Sequence, residues 1–361
     1  MAWTIHTPLQ PDESMSSWLI RAALHQGCDP MALTGSVWPG RRIWTVDVDR
    51  GMSNDHLQTL SRACGIEEAH FKRAALRVDA ERIAGRFLID TEGWPWVLTL
   101  GTRNRRRHGG QQFCPGCLAS DPHPYFRKQW RFAWHVACAR HDTCLIDRCL
   151  TCEAPITPHR LVAEDRKLAY CSHCHTDLRQ MRASPAPVNA LAFQHAADQV
   201  MKSGSGLFGA KAVPIAHWFA TARFFCGLIR TVAHRKTSKL AVEIRDLGVD
   251  VNAGHLPVIG LPLERLSVSD RIRLLGAAQR LMILGSGPLQ TALVRSATTA
   301  TSIRRSGSPL PVPLQEAFST IPSTRRSSKR PRQPRAPGPR SEQAVKGAWM
   351  RLQRKAKARL P

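Results

Sequence analysis

The chain has 361 residues, enough for two or three domains, and it carries 52 Lys and Arg against 27 Asp and Glu, a net charge of +25. Such a field favours polyanionic partners such as DNA or RNA. No uninterrupted apolar run reaches the roughly eighteen residues that cross a bilayer, which argues against a membrane-spanning protein. The charge is uneven, because residues 301–361 hold fifteen Lys and Arg against two acids, Glu316 and Glu342.

The start, Met-Ala-Trp-Thr-Ile-His-Thr-Pro, lacks the basic-then-apolar pattern of a secretory signal, so a cytoplasmic location is expected. Residues 1–108 read as a helical N-terminal domain. Asp12 is placed to cap a helix whose apolar side is Met15, Trp18, Leu19, Ala22 and Ala23. Ser53 caps a second, with Leu57, Leu60 and Cys64 on one side. Gly65 breaks it, and a further helix spans Glu67 to Leu76. Helix, glycine turn, helix is the outline of a helix-turn-helix, and Lys72, Arg73 and Arg77 suit a helix facing a phosphate backbone. The alternative is an ordinary helical hairpin with a solvated basic side.

Arg103, Arg105, Arg106 and Arg107 form a compact basic run just before the first cysteine pair. With Arg127, Lys128 and Arg131 they could clamp phosphates. Trp130 and Trp134, four apart, are expected to pack a small core there.

Residues 109–180 contain eight ligand-type residues in four close pairs: Cys114/Cys117, Cys138/His141, Cys149/Cys152 and Cys171/Cys174. Two intervening residues let a tight turn aim both side chains at one point, and two such turns complete a tetrahedral zinc shell. In chain order the first two pairs make a Cys-Cys-Cys-His site and the last two an all-Cys site. Each site uses four protein ligands, so two structural zinc ions are expected, not catalytic ones. Disulfides would require an oxidising compartment. Cys144, His135, His173 and His175 are nearby reserves that could replace an assigned ligand, His141 being the most replaceable. Cys28, Cys64 and Cys226 lie in helical apolar patterns and read as small core residues.

Ser184-Pro-Ala-Pro187 marks a boundary, and residues 181–296 read as a helical C-terminal domain. Its expected helices carry Val188, Leu191, Ala192, Ala196 and Val200, then Ile215, Trp218, Phe219, Ala222, Phe225, Cys226 and Ile229 after Pro214, then Ile272, Leu275 and Met282 beyond Ser267. Residues 297–340 are rich in Ser, Pro and Arg and are expected to be disordered. Residues 341–361 form a basic amphipathic helix with Val345, Ala348, Trp349 and Leu352 on one side. The fold class is therefore mainly α with small zinc-finger or zinc-ribbon modules and a disordered basic tail.

Several motifs occur together in a fixed order. Pro11-Asp-Glu-Ser-Met-Ser-Ser-Trp-Leu19 is followed by Ile43-Trp-Thr-Val-Asp47-Val-Asp-Arg50 and Phe113-Cys-Pro-Gly-Cys-Leu118. Trp130 to Trp134, Cys138-Ala-Arg-His141, Leu145 and Cys149-Leu-Thr-Cys152 come next. Over residues 8 to 180 this resembles the TniQ/TnsD family, accessory proteins of bacterial transposons associated with choosing the target site. The resemblance implies a helix-turn-helix-bearing domain followed by zinc modules. It also implies an AAA+ ATPase partner of the TniB/TnsC type and, through it, a DDE transposase. In some systems a family member joins an RNA-guided effector complex instead.

The leading expectation is a non-enzymatic DNA-binding adaptor, cytoplasmic and nucleoid-associated, with a second copy of the chain as a further candidate partner. A pure interaction scaffold needs no DNA affinity of its own. A nuclease or recombinase would need clustered carboxylates for divalent cations. Asp47, Asp49 and the Asp12-Glu13 pair read instead as caps and surface pairs.

Overall fold

The first helix is buried on every side. In the computed structural model α1 (Met15–His25) has no exposed face from Met15 to Leu24, the signature of a helix set between two packed layers. Met15, Trp18, Leu19, Ala22 and Ala23 face an N-terminal cluster with Leu57, Leu60 and Phe71. Ile20 and Leu24 face a second, larger cluster. The structure describes residues 2–100, 110–235, 237–251, 261–299, 310–319 and 321, together with Glu342, Val345, Trp349, Met350 and Gln353.

The N-cap of α1 is Ser14, whose hydroxyl accepts from Ser17 N–H, and not Asp12. Asp12 instead accepts from the Tyr125 hydroxyl at 2.7 Å and pairs with Arg127 at 3.3 Å. α2 (Pro30–Val37) follows, with proline in its first turn, where no intrahelical donor is lost. Ser53 caps α3 (Asn54–Cys64), and left-handed Gly65 ends it. The next helix is shorter than the sequence suggests. α4 (Glu68–Ala74) stops because Ala75 is extended, and Arg77 opens a separate helix, α5 (Arg77–Ala84).

α5 ties this region to the helices near the other end of the chain. Gly85, at φ 64°, closes it, and a Cβ there would lie 2.7 Å from that of Ala216. Ala216 belongs to α8 (Ile215–His234), which packs with α7 (Val188–Ser203) and α10 (Val268–Leu284). Ser267 caps α10 through Asp270 N–H. The buried side of α7 is Ala190, Phe193, Gln194, Ala197 and Val200. Val188 is exposed, so the expected stripe is rotated by part of a turn. A two-stranded hairpin absent from the sequence reading, β3 (Ser205–Phe208) with β4 (Lys211–Pro214), joins α7 to α8. α9 (Lys239–Asp246) and α11 (Ser286–Arg295) complete the helical layer.

One aromatic junction joins three segments of the chain. Trp96 stacks on Phe193 and meets Phe219 edge-on, while Trp134 stacks on Phe132 at 4.4 Å and also touches Phe219. Trp130 and Trp134 therefore belong to a core much larger than the small one expected. Segments 1–108, 109–180 and 181–296 contribute to the same cluster, and residues 1–322 form one unit.

Part of the segment read as disordered is built into that unit. The turn Val312–Leu314 and the short helix Gln315–Ser319 bury Leu314, Ala317 and Phe318, and Phe318 meets Phe224 edge-on. Residues 323–361 form a second unit, in which the described residues are helical and exposed. Among the described residues no helix is long and apolar enough to cross a membrane.

Candidate metal centres

The eight ligand-type residues converge as two sets of four, Cys114, Cys117, Cys138 and His141, and Cys149, Cys152, Cys171 and Cys174. Within each set all ligand atoms lie within 4.8 Å of one another. In the first, Cys117 Sγ is 3.5 Å from Cys138 Sγ, and His141 Nδ1 lies 3.5, 3.4 and 3.5 Å from the sulfurs of Cys114, Cys117 and Cys138. In the second, Cys149 to Cys174 is 3.6 Å and Cys152 to Cys171 is 3.8 Å. A tetrahedral zinc ion with ordinary bond lengths requires edges of about 3.7 Å between sulfurs and about 3.5 Å between sulfur and nitrogen. The residues present therefore fit the ion in donor type, number and spacing.

Local backbone chemistry makes these turns. Cys114 follows a short bridge between Phe113 and Ile146, and Pro115 then starts α6 (Pro115–Ser120), which carries Cys117. Gly116 is required because the His141 ring lies against it, and a Cβ would come 2.7 Å from His141 Cδ2. β1 (Ala137–Cys138) and β2 (Thr143–Cys144) pair around His141. In the second set, Cys149 accepts from Glu153 N–H at 2.9 Å and Cys171 from His175 N–H at 2.8 Å. Bridges Arg148–Pro155 and Tyr170–Asp177 flank these two turns. Asp142, Glu153 and His175 each follow the second ligand of a pair, and each is left-handed, at φ 50°, 56° and 55°. That conformation costs about 1–2 kcal/mol for a non-glycine residue.

The thiols of each set perturb one another. Hydrogen bonds within the first set, from Cys117 and then Cys138, drive the Cys114 thiol far below its usual range, while the same contacts push Cys117 up. Three thiols cannot all ionise at this spacing without a cation to balance them. In the second set burial pushes Cys152 up to about 12, and the Thr176 side chain helps draw Cys174 down to about 6. Three of four ligands are buried in the first set but only two of four in the second.

Three of the four reserve ligands are engaged elsewhere, and His173 is exposed. His135 Nε2 is 3.0 Å from Asp198, His175 Nδ1 is 2.8 Å from Asp165, and Cys144 donates to Pro185 O. Cys226 is buried in α8 as expected, whereas Cys28 and Cys64 are half-buried beside the N-terminal cluster.

The basic residues read as phosphate contacts divide sharply. Lys72 and Arg73 are exposed on α4. Arg77 sits over the Trp94 ring and pairs with Glu81 and Asp90. Arg127 is buried between Asp12 and Asp121 and lies over Tyr125 and Trp130. Lys128 pairs with Asp79 at 2.8 Å. Arg131 is entirely buried against Asp47 and Asp49, so it is no surface cation. Arg103, Arg105, Arg106 and Arg107 lie outside the described residues.

Asp49 is correspondingly no surface pair. It accepts from Ser16 N–H and from Ser16 Oγ, so it fixes the start of α1 from within the core. A second buried cation also went unread. Arg271 of α10 donates to Ala133 O at 2.7 Å, His135 O at 3.3 Å and Gln112 Oε1 at 2.8 Å. It holds the loop between the first two ligand pairs through those oxygens, and burial draws its pKa down to about 10. Little local signal marks such a residue, since apart from Leu266 O these partners are more than a hundred positions away.

Against known families, residues 4–145 match the model described as TniQ, which supports a TniQ/TnsD-type transposition protein. The match takes in all four ligands of the first centre and ends just before Cys149. No curated protein matches the chain.

Proposed function

We propose that this TniQ-type chain is a zinc-containing, DNA-binding adaptor of a bacterial transposon. In this reading it helps select the target site and recruits an AAA+ ATPase and, through it, the DDE transposase. The observation that carries the reading is the coincidence of the family match over residues 4–145 with a complete Cys-Cys-Cys-His set inside it. Zinc supplies no reagent to this function. With four protein ligands per ion it holds the turns that shape the surface. Arg73 is exposed on α4 and pairs with no acid among the described residues, Lys72 beside it pairs with Glu68 at 3.5 Å on the surface, and the sequence beyond 322 is strongly basic. If about six phosphates are neutralised, affinity for duplex DNA falls by roughly a thousandfold between 50 and 200 mM salt. A flat salt dependence for the zinc-loaded full chain overturns the reading.

A second reading is favoured by one specific observation. Arg77, Arg127, Lys128 and Arg131 are held in ion pairs within the protein. An interaction scaffold that joins the ATPase or an RNA-guided complex, without DNA recognition of its own, needs no such cations free. Gel shifts with and without the ATPase separate the two. A tail truncation for this purpose belongs after Pro322, because residues 310–321 contribute to the folded unit.

A further inference from the structure

The loop that follows α5 presents the most exposed large apolar side chain among the described residues. Phe87 is 89 % exposed and Ile89 65 %, while Leu88 between them is buried in the core. Alternate residues of an extended segment point to opposite sides, so Phe87 and Ile89 share the outer one. Polar contacts fix the backbone that carries them. Arg86 donates to Phe87 O, Arg77 to Leu88 O and the Trp94 indole N–H to Ile89 O, each at 3.0 Å. Leu88 N–H donates to Glu81 at 3.3 Å and Ile89 N–H to Glu92 at 3.1 Å. Arg50 spans the end of the loop, donating to Asp90 O and Glu92 O, and Arg50 and Arg77 both lie over the Trp94 ring. With these carbonyls and amides engaged, residues 87–89 offer a partner side chains rather than a strand edge. An apolar anchor on a pre-set backbone loses little freedom on binding.

The charges nearby have one sign to spare. Each carboxylate of α5 and of the loop pairs with a cation: Asp79 with Lys128, Glu81 and Asp90 with Arg77, and Glu92 with Arg86. Arg82, in the last turn of α5, donates to Met201 O at 2.9 Å, which sets it beside the next residue, Lys202. Arg82 and Lys202 are exposed and pair with no acid among the described residues. The outer face of a DNA duplex would match these two cations but would leave Phe87 and Ile89 in water. A protein pocket with apolar walls and a carboxylate edge matches both.

We propose that the Phe87–Ile89 loop is the docking knob for the AAA+ ATPase: Phe87 enters an apolar pocket on that protein, and carboxylates at the edge of the pocket face Arg82 and Lys202. Burial of the aromatic ring supplies the affinity, and the two cations steer the encounter. The identity of the partner rests on the adaptor reading above, to which the loop adds the surface and the chemistry of contact.

The test uses the zinc-loaded full chain and the purified ATPase of the same transposon. With p-benzoylphenylalanine in place of Phe87, irradiation should crosslink the ATPase at a peptide that carries apolar residues together with Asp or Glu. Phe87→Ala should weaken the complex about thirtyfold while duplex binding is unchanged. It should keep the parental melting temperature, since the side chain is almost fully exposed. Lys202→Glu should slow association and flatten its dependence on salt, and an unaltered rate removes the carboxylate edge. A Phe87→Ala protein that binds the ATPase like the parent overturns the docking knob and leaves the adaptor reading intact, whereas a parent that binds no ATPase overturns both. Crosslinks only to duplex DNA, or only to a second copy of the chain, also overturn the knob: the first makes the loop a wedge between bases, the second a self-contact.

Discussion

Arg131 and Asp49, 82 positions apart, meet in an ion pair in which neither side chain is exposed at all. Asp47 joins from the same turn at 2.7 Å, and Leu98 O accepts from the other side of the guanidinium at 2.8 Å. Burial works against the charge on Arg131, but the two carboxylates more than offset it and hold the group above its usual range. The contact joins the Asp47–Arg50 turn, the start of α1 and the loop of the first metal centre.

Arg131→Met should therefore behave as a folding mutant. It leaves two carboxylates together without their buried cation, at a cost of about 3–5 kcal/mol. Urea denaturation monitored by circular dichroism measures the loss, and Asp47→Asn with Asp49→Asn in the same chain should recover part of it. A parental unfolding curve combined with weaker DNA binding would return Arg131 to the surface.

Cys149→Ser and Cys171→Ser should each lower the zinc content from two ions per chain to one, by elemental analysis. Structural zinc contributes on the order of 10 kcal/mol to the folding of a small module. The melting temperature should drop accordingly. Two ions retained at the parental melting temperature would disqualify the second ligand set.

Gly116→Ala probes the first centre without touching a ligand. The new methyl would stand 2.7 and 2.8 Å from two carbons of the His141 ring, forcing His141 Nδ1 out of place. One ion should be lost while the all-Cys set keeps the other. Cobalt substitution reads this directly, since the remaining spectrum should be that of four thiolates alone.

Acidification should weaken the protein partly through His159. Its folded pKa, about 4, lies below the ordinary value of 6.5, so between those limits the unfolded chain takes up a proton that the folded one refuses. Stability from this source is present above pH 6.5 and declines as the pH falls toward 4, by at most about 3 kcal/mol. His159→Gln should flatten the stability curve over that window relative to the parent. Parallel curves would mean that the imidazole titrates normally.

The two sets of ligand-type residues were legible because each pair is local. Cys-x-x-Cys and Cys-x-x-His place both donors on one turn, and nothing distant is needed to recognise them. The Ser53 cap was legible for the same reason. What escaped depends on partners far away in the chain. Asp12 stands in a plausible capping position, but Tyr125 and Arg127 draw it off and leave Ser14 to cap α1. Arg127 and Arg131 look like surface charge until Asp121, Asp47 and Asp49 are brought beside them. The stripe on α7 was misplaced because packing on α10 and the unforeseen hairpin selects Phe193 and Ala197 over Val188. Low apolar content hid the short helix at 315–319, which is stabilised by a partner surface that includes Phe224.

The two ligand sets are unequally shielded, and that gives the molecule a direction of ageing. Peroxide or a strong chelator meets the half-open sulfurs of Cys152 and Cys174 well before those sealed around Cys114. In the zinc-loaded protein, loss is therefore expected to run from the later set to the earlier one, and a preparation with half its metal should be a population of uniform survivors that hold it at Cys114, Cys117, Cys138 and His141.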